Sequence, residues 1–417
     1  MNRPAWRAGR TRRGPSSRGL TARHAGTRLS ASLHALVGLC LITTSFHQDL
    51  PAQAGSPPRP LAVARDLVIG GNEVDLSPVS SVAVSARGTI AVGQRADAQI
   101  RVYSQRGAEL FRFGRKGAGP GEFQMLGGFV GWVGDTLWAT DVALRRLTFI
   151  HPDGALLRTV SNPAPNSASR SIPASAPKQG EMYITGIGAN GTAMAFSSLV
   201  GVSIPSLWRA DPKALQSTIW LQLLDGTEAT FLGFEPNRTN GCSEGAYSYY
   251  QFACPLTLTA FSPTADRYVV ARPGRVTAKE GSYWLTVVSA RGDSLLHRQF
   301  RYSGTPTTAA FIDSSRAACK ARESAPARKS ACDDVSHSPQ FRYLHRVFLG
   351  LDQTIWLELR PDSRGRHWLI LNPRGETIGQ VTLPPTFFLW SASRSSVWGT
   401  ESDSDDVESV VRYRIGP

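Results

Sequence analysis

Three short stretches of this 417-residue chain have the residue types and spacing of chemical motifs. Gly241-Cys242-Ser243-Glu244-Gly245 has the Gly-x-Ser-x-Gly form of a nucleophile elbow, where a strained strand-to-helix turn exposes a serine hydroxyl for acyl transfer. Here Pro236-Asn237-Arg238-Thr239-Asn240 precedes and Ala246-Tyr247-Ser248-Tyr249-Tyr250 follows, so neither the strand nor the helix is in place. Gly186-Ile187-Gly188-Ala189-Asn190-Gly191 matches the dinucleotide fingerprint Gly-x-Gly-x-x-Gly, with Asp211 downstream. That fingerprint works only in a parallel βαβ unit, whereas Asn190-Gly191 is a hairpin turn signal. Gly117-x-Gly119-x-Gly121 could cradle a phosphate only at a helix N-terminus, and Pro120 and strand-like sequence follow it instead. No catalysis and no cofactor is expected from any of the three.

The first 54 residues read as a separate object. Eight arginines from Arg3 to Arg28 lead into an apolar stretch from Leu33 to Phe46, then into Pro51-Ala52-Gln53-Ala54. A basic region, a short apolar core and an A-x-A site are the layout of a secretory signal peptide. About 14 apolar residues fall short of the ~20 that span a bilayer, so no transmembrane segment is expected. The leader holds eight Arg and one acid, Asp49, which is half of the formal net charge of +14. The remaining +7 is spread over residues 55–417 without a basic stripe interleaved with stacking aromatics, so nucleic acid is not an expected partner. The expected location is periplasmic or extracellular.

Four cysteines follow the leader: Cys242, Cys254, Cys319 and Cys332. An even number in an oxidising compartment reads as disulfides, and the spacing excludes a Cys-x2–4-Cys zinc site. Cys242–Cys254 and Cys319–Cys332 would each close a local loop, but the sequence leaves all three connectivities open. Between the first two lie Tyr247, Tyr249, Tyr250 and Phe252, candidates for a binding loop.

The elements that must carry these residues announce themselves by repetition. A turn residue followed by an alternating apolar strand recurs at Gly88-Thr89-Ile90, Asp135-Thr136-Leu137-Trp138 and Gly180-Glu181-Met182. It returns at Asp266-Arg267-Tyr268, Gln353-Thr354-Ile355-Trp356 and Ser396-Val397-Trp398. Taking Ile90, Leu137, Met182, Tyr268, Ile355 and Val397 as second-strand residues, the intervals are 47, 45, 86, 87 and 42. Short strands repeating at this period predict an all-β fold, a six-bladed β-propeller of four-stranded antiparallel blades. The two long intervals hold the two cysteine pairs, which predicts loop insertions near 225–255 and 304–344, with a third near 161–178. The last repeat, ending at Ile415, lacks an outer strand, and Leu61 to Ile69 is a strand without a blade. Pairing the two completes the last blade and removes the free edges of an open array. One domain, 55–417, is therefore expected.

Phe113-Gly114-Arg115-Lys116-Gly117-Ala118-Gly119-Pro120-Gly121-Glu122-Phe123 resembles the segment between blades of NHL-type propellers, and Asp141 and Arg145-Arg146 fit the blade that follows. The resemblance is strongest over residues 82–160 and implies a propeller similar to the exported NHL/TolB-like proteins of bacteria. Enzymes built on such propellers hold a metal in the central channel with ligands from several inner strands. The inner strands inferred here, such as Ser80–Val84, Gly128–Trp132 and His345–Leu349, carry no acid before their turns. Asp135, Asp266 and Asp352 lie at the turns, and only His345 of the five histidines after the leader is placed to face a channel. No metal site is expected. The chain reads as a non-enzymatic scaffold for a protein, peptide or glycan; the alternative is a metal-dependent hydrolase or lyase of the lactonase-like propeller class.

Overall fold

Ile355 and Trp356 are neighbours on one strand, yet each is fully buried and each belongs to a different apolar cluster. Successive side chains on a strand point to opposite faces, so an uninterrupted apolar pair requires a sheet covered on both sides. That requirement organises the molecule. The computed structural model describes residues 58–416 apart from 72–73, 77, 162–180, 199–216, 224–228, 236–254, 323, 325 and 334–336. All of these belong to one compact unit, Ala52–Pro417.

The described residues form six four-stranded antiparallel sheets. The first contains β2 (Ser81–Val84), β3 (Ile90–Gln94), β4 (Gln99–Tyr103) and β5 (Glu109–Phe113), side by side in chain order. The second repeats this with β6 (Leu126–Val133), β7 (Thr136–Asp141), β8 (Arg146–Ile150) and β9 (Leu156–Ser161). The third has β10 (Glu181–Ile187), β11 (Thr192–Ser198), β12 (Ser217–Leu223) and β13 (Ala229–Glu235). The fourth has β14 (Leu258–Phe261), β15 (Arg267–Val276), β16 (Glu280–Ser289) and β17 (Ser294–Ser303). Two helices, α1 (Ala309–Arg322) and α2 (Pro326–Ala331), then precede the fifth sheet. That sheet is built from β18 (Leu344–Leu349), β19 (Ile355–Leu359), β20 (Arg366–Leu371) and β21 (Thr377–Leu383).

The sixth sheet has only three strands of its own, β22 (Phe388–Ala392), β23 (Ser396–Ser402) and β24 (Glu408–Ile415). Its outer strand is β1 (Val63–Gly70), antiparallel to β24 with Val63 opposite Ile415 and Gly70 opposite Ser409. The ends of the described chain are thus joined by a strand pair, as the unfinished last repeat demands.

Each consecutive pair of sheets shares an apolar cluster. Ile100 and Phe113 of the first meet Leu137 and Ile150 of the second, and Trp138 of the second meets Ile184 and Ala193 of the third. Met194 packs with Tyr268 and Val270, Leu285 with Val347 and Ile355, and Trp356 with Phe387 and Val411. Trp398 and Val410 of the sixth sheet then pack with Val82 and Ile90 of the first. The repeated apolar pair therefore serves two sheet interfaces at once: Leu137 faces back and Trp138 forward, and Val397 and Trp398 do the same.

Turn chemistry agrees with the sequence. In the hairpins joining third and fourth strands, Gly154 (φ +90°) and Gly375 (φ +76°) occupy left-handed backbone that other residues rarely adopt. Each donates its N–H three residues back, to His151 and Asn372 respectively. Asn190-Gly191 is likewise a hairpin turn, between β10 and β11, with Gly188 and Thr192 bonded across it. The Gly-x-Gly-x-x-Gly match is thus the end of a strand and a tight turn. The connector from Phe113 to Phe123 is gripped from the second sheet. Arg146 donates to the carbonyls of Ala118 and Gly119 at 3.0 and 2.9 Å, and Asp141 accepts the N–H groups of Gln124 and Leu144 at 2.8 and 3.0 Å.

Two expectations need correction. Met182 is not a second-strand residue: it lies on β10, the first strand of its sheet, and the second strand is β11. The turn that leads into the second strand is Asn190-Gly191, whereas Gly180 lies outside the described residues. The stretch 225–255 contains β13, the outer strand of the third sheet, rather than loop throughout.

Candidate functional site

In an antiparallel sheet of consecutive strands, the loop between the second and third strands and the connector to the next sheet leave from the same end. At that end, where the fourth sheet hands over to the fifth, a cavity of about 520 Å³ opens. Ser303 and Thr305 leave β17 along one wall, and Phe341, Arg342 and Tyr343 enter β18 along another. The loop from β19 to β20 supplies Arg360, Asp362 and Arg364, and His367 and Gln380 complete the lining from β20 and β21. The volume falls within the ~300–1,000 Å³ of small-molecule sites.

The helical insertion leaves and re-enters the sheets at this wall, between Thr305 and Phe341. Its two ends are tied together where they meet the sheets: Phe341 N donates to the Thr305 carbonyl at 2.9 Å and Thr307 N to the Pro339 carbonyl at 3.1 Å. Beyond this neck, Cys319 of α1 and Cys332 form a disulfide across 13 residues, with both sulfurs buried. Lys320 and Asp333 add an ion pair at 2.6 Å. Of the three connectivities open to the sequence, the structure therefore contains Cys319–Cys332. Phe311 on α1 meets Phe341 edge to face at 4.6 Å.

Aromatic rings back the cavity. Tyr343 stacks on Tyr302 at 4.0 Å with the rings 7° from parallel, and Tyr283 stacks on Phe300 at 5.3 Å. Burial pushes the hydroxyls of Tyr343, Tyr302 and, furthest, Tyr283 above the ordinary range, so all three stay neutral.

The charges are mostly positive. Within 342–366 stand Arg342, Arg346, Arg360, Arg364 and Arg366. Arg366 pairs with the buried Glu358 at 2.6 Å. Arg364 chelates Asp362 through Nε and Nη2 at 3.0 and 2.7 Å, and holds that carboxyl, with help from His367, well below the carboxylate range. Burial lowers the pKa of Arg342 and of Arg346. Arg360 lies over Phe341, its guanidinium carbon 3.9 Å from the ring centre, and its Nη1 is shut off from water without a hydrogen-bond partner. His345, beside them on β18, donates from Nε2 to the Arg342 carbonyl at 3.1 Å. Burial, and then the positive charge of Arg342, depress its pKa below the ordinary 6.5.

His367 sits between Asp362 Oδ1, 2.8 Å from Nε2, and Thr382 Oγ1, 3.0 Å from Nδ1. Carboxylate, imidazole and hydroxyl stand in the order of a hydrolytic triad. The Asp362 charge is shared with Arg364, however, Nε2 makes no well-formed hydrogen bond, and Thr382 is outside the cavity lining, so this order of groups does not activate the hydroxyl.

Of the residues singled out from sequence, Cys319 and Cys332 are brought together, and His345 is on a first strand, partly buried, with its ring anchored to backbone. Cys242, Cys254, Tyr247, Tyr249, Tyr250, Phe252 and the Gly241–Gly245 elbow lie outside the described residues. Among the described residues, no three His, Cys, Asp or Glu side chains converge as metal ligands. The arginine cavity was missed. Its one sequence signal is five arginines within 25 residues, set around a strand-and-turn repeat.

No family model matches the chain, and no curated protein does. Several solved structures are similar at low identity. A member of the DUF4221 family from Bacteroides vulgatus is 12% identical over 85% of this chain and 98% of its own, with a TM-score of 0.43. A luciferin-regenerating enzyme is 9% identical over 85% and 96%, with a TM-score of 0.41. An aldose sugar dehydrogenase from Streptomyces coelicolor, in its PQQ-bound form, is 13% identical over 86% and 100%, with a TM-score of 0.39. Identities this low transfer neither a site nor a reaction.

Proposed function

We propose that this chain is an exported, closed six-bladed β-propeller of the NHL/TolB-like kind that works as a non-enzymatic binding scaffold for a protein, peptide or glycan. Six shared apolar clusters, the last returning to the first sheet, support a closed ring. The basic and apolar leader ending in Ala52-Gln53-Ala54 and the Cys319–Cys332 disulfide support export, and no helix of the described residues is long and apolar enough to cross a membrane. The observation that carries the binding reading is the cavity between the fourth and fifth sheets. It lies at the foot of the stapled insertion and is lined by groups that hold a ligand: guanidinium, amide, hydroxyl and tyrosine ring. Function concentrates on loops held by a rigid scaffold.

The test is to purify residues 55–417 from the periplasm and probe glycan and peptide arrays, with Tyr343→Ala as the control. Saturable binding lost in Tyr343→Ala supports the proposal. One stoichiometric divalent metal together with turnover of a lactone or ester panel would replace it by the hydrolase alternative. If the Tyr247, Tyr249, Tyr250 and Phe252 cluster belongs to the same binding face, replacing Tyr249 and Tyr250 weakens the same ligand.

A further inference from the structure

The cavity has a chemical bias that narrows its ligand, and this inference rests on the binding proposal above. Three guanidinium groups, Arg342, Arg360 and Arg364, line it against one carboxylate, Asp362, whose Oδ2 already takes two bonds from Arg364. Arg360 lines the cavity yet forms no ion pair with any described carboxylate; its Nη1 is turned into the protein, so its other nitrogens are the ones a ligand would meet. A guanidinium fork without an ion pair is built to take a carboxylate with two parallel bonds. Burial is the main cause of the lowered pKa of His345, and Arg342, Arg360 and Arg366 add to it.

The other half of the lining suits a polyhydroxylated ring. Tyr343 offers an aromatic surface stiffened by its stack on Tyr302, and Ser303, Thr305, Gln380 and His367 surround it with short polar groups. An extended peptide would need a free strand edge to pair with, and the backbone here is taken. Phe341 N is bonded to Thr305 O, and Gln380 exchanges both its N–H and its carbonyl with Arg59 and Leu61. A compact ligand fits better than a strand.

We propose that the cavity is a site for an acidic saccharide of the uronic-acid type, with its carboxylate on Arg360 and its pyranose ring against Tyr343. The positive walls select the anion and the tyrosine selects the sugar.

Calorimetry on residues 55–417 tests this with matched probes: glucuronate and its short oligomers, glucose and its oligomers, and triglutamate. The uronate series is expected to bind at least tenfold tighter than the neutral series, and to weaken as salt is raised. Arg360→Gln is expected to remove that preference while binding of the neutral sugar changes little. The imidazole resonances of His345 should move on uronate binding as the positive field is neutralised. A protein that binds glucose and glucuronate alike, or that keeps its preference in Arg360→Gln, overturns the anionic assignment and leaves the binding proposal standing. Binding of triglutamate alone overturns it in favour of an acidic peptide. Array-wide silence with natively folded protein overturns both proposals.

Discussion

Arg360 covers the face of Phe341 at 3.9 Å while Phe311 of α1 meets the same ring edge-on at 4.6 Å. One phenyl ring therefore joins the stapled insertion to the cationic wall of the cavity. The insertion is mechanically continuous with the site through this ring, although α1 and α2 belong to none of the six apolar clusters between the sheets.

The Phe311–Phe341 contact is expected to show in a double-mutant cycle. Aromatic edge-to-face pairs couple by about 0.5–1.5 kcal/mol beyond buried area. Denaturant unfolding of Phe311→Leu, Phe341→Leu and the double variant measures this coupling, and additive single effects would mean the insertion does not rest on the ring.

Removing the Cys319–Cys332 cross-link with the pair Cys319→Ser and Cys332→Ser should loosen the insertion and spare the sheets. A loop of this size is worth roughly 3 kcal/mol in the chain-entropy account, but the loss falls on helices outside the sheet clusters. Limited proteolysis should cut faster within 309–333, while the main melting transition moves little. A collapse of the main transition would show that the insertion is integral to the core.

Trp356 and Leu157 offer a contrast of burial. Trp356 is 0% exposed between the fifth and sixth sheets, and Leu157 on the outer strand β9 is 54% exposed. Trp356→Ala should cost about 3–5 kcal/mol, and Leu157→Ala no more than about 0.5 kcal/mol. Chemical denaturation of both variants provides the comparison.

Deleting residues 55–70 removes β1 and leaves the long edge of β24 unpaired. Unpaired edges recruit other strands, so the truncated protein should aggregate or lose its cooperative transition in size-exclusion and melting experiments. A monomeric, cooperatively folded product would count against closure by this strand.

Acidification should weaken the fold through His345. Its folded pKa lies below the ordinary 6.5, because burial and then Arg342 disfavour the imidazolium. Between those two values the unfolded chain binds more protons, so stability rises with pH there. The contribution is therefore whole above about 6.5 and is lost as pH falls from there toward the depressed value. His345→Gln should flatten the pH dependence of the denaturation midpoint over this window while leaving the slope at higher pH unchanged.

The sheets were legible because their signals are local. Two-sided burial writes apolar pairs such as Ile355-Trp356 into every second strand, and tight hairpins write Gly154 and Gly375 into fixed places. The third sheet lies one strand away from where the repeat puts it, because Gly180 precedes the apolar run of β10 in sequence much as Asn190-Gly191 precedes that of β11. The disulfide partners were legible as candidates, since proximity in sequence favours closing a short loop.

The cavity was not legible, and the reason is physical. Ser303, Tyr343, Arg360 and Gln380 come from four strands or loops spread over about 80 residues, and each carries an ordinary side chain in an ordinary local setting. Composition and period alone determined that this chain would build short antiparallel strands covered on both faces, with the strand near Leu61–Ile69 paired to the last repeat. Only the packing of the fourth sheet on the fifth decided which arginines would meet an acid and which, like Arg360, would line the cavity without one.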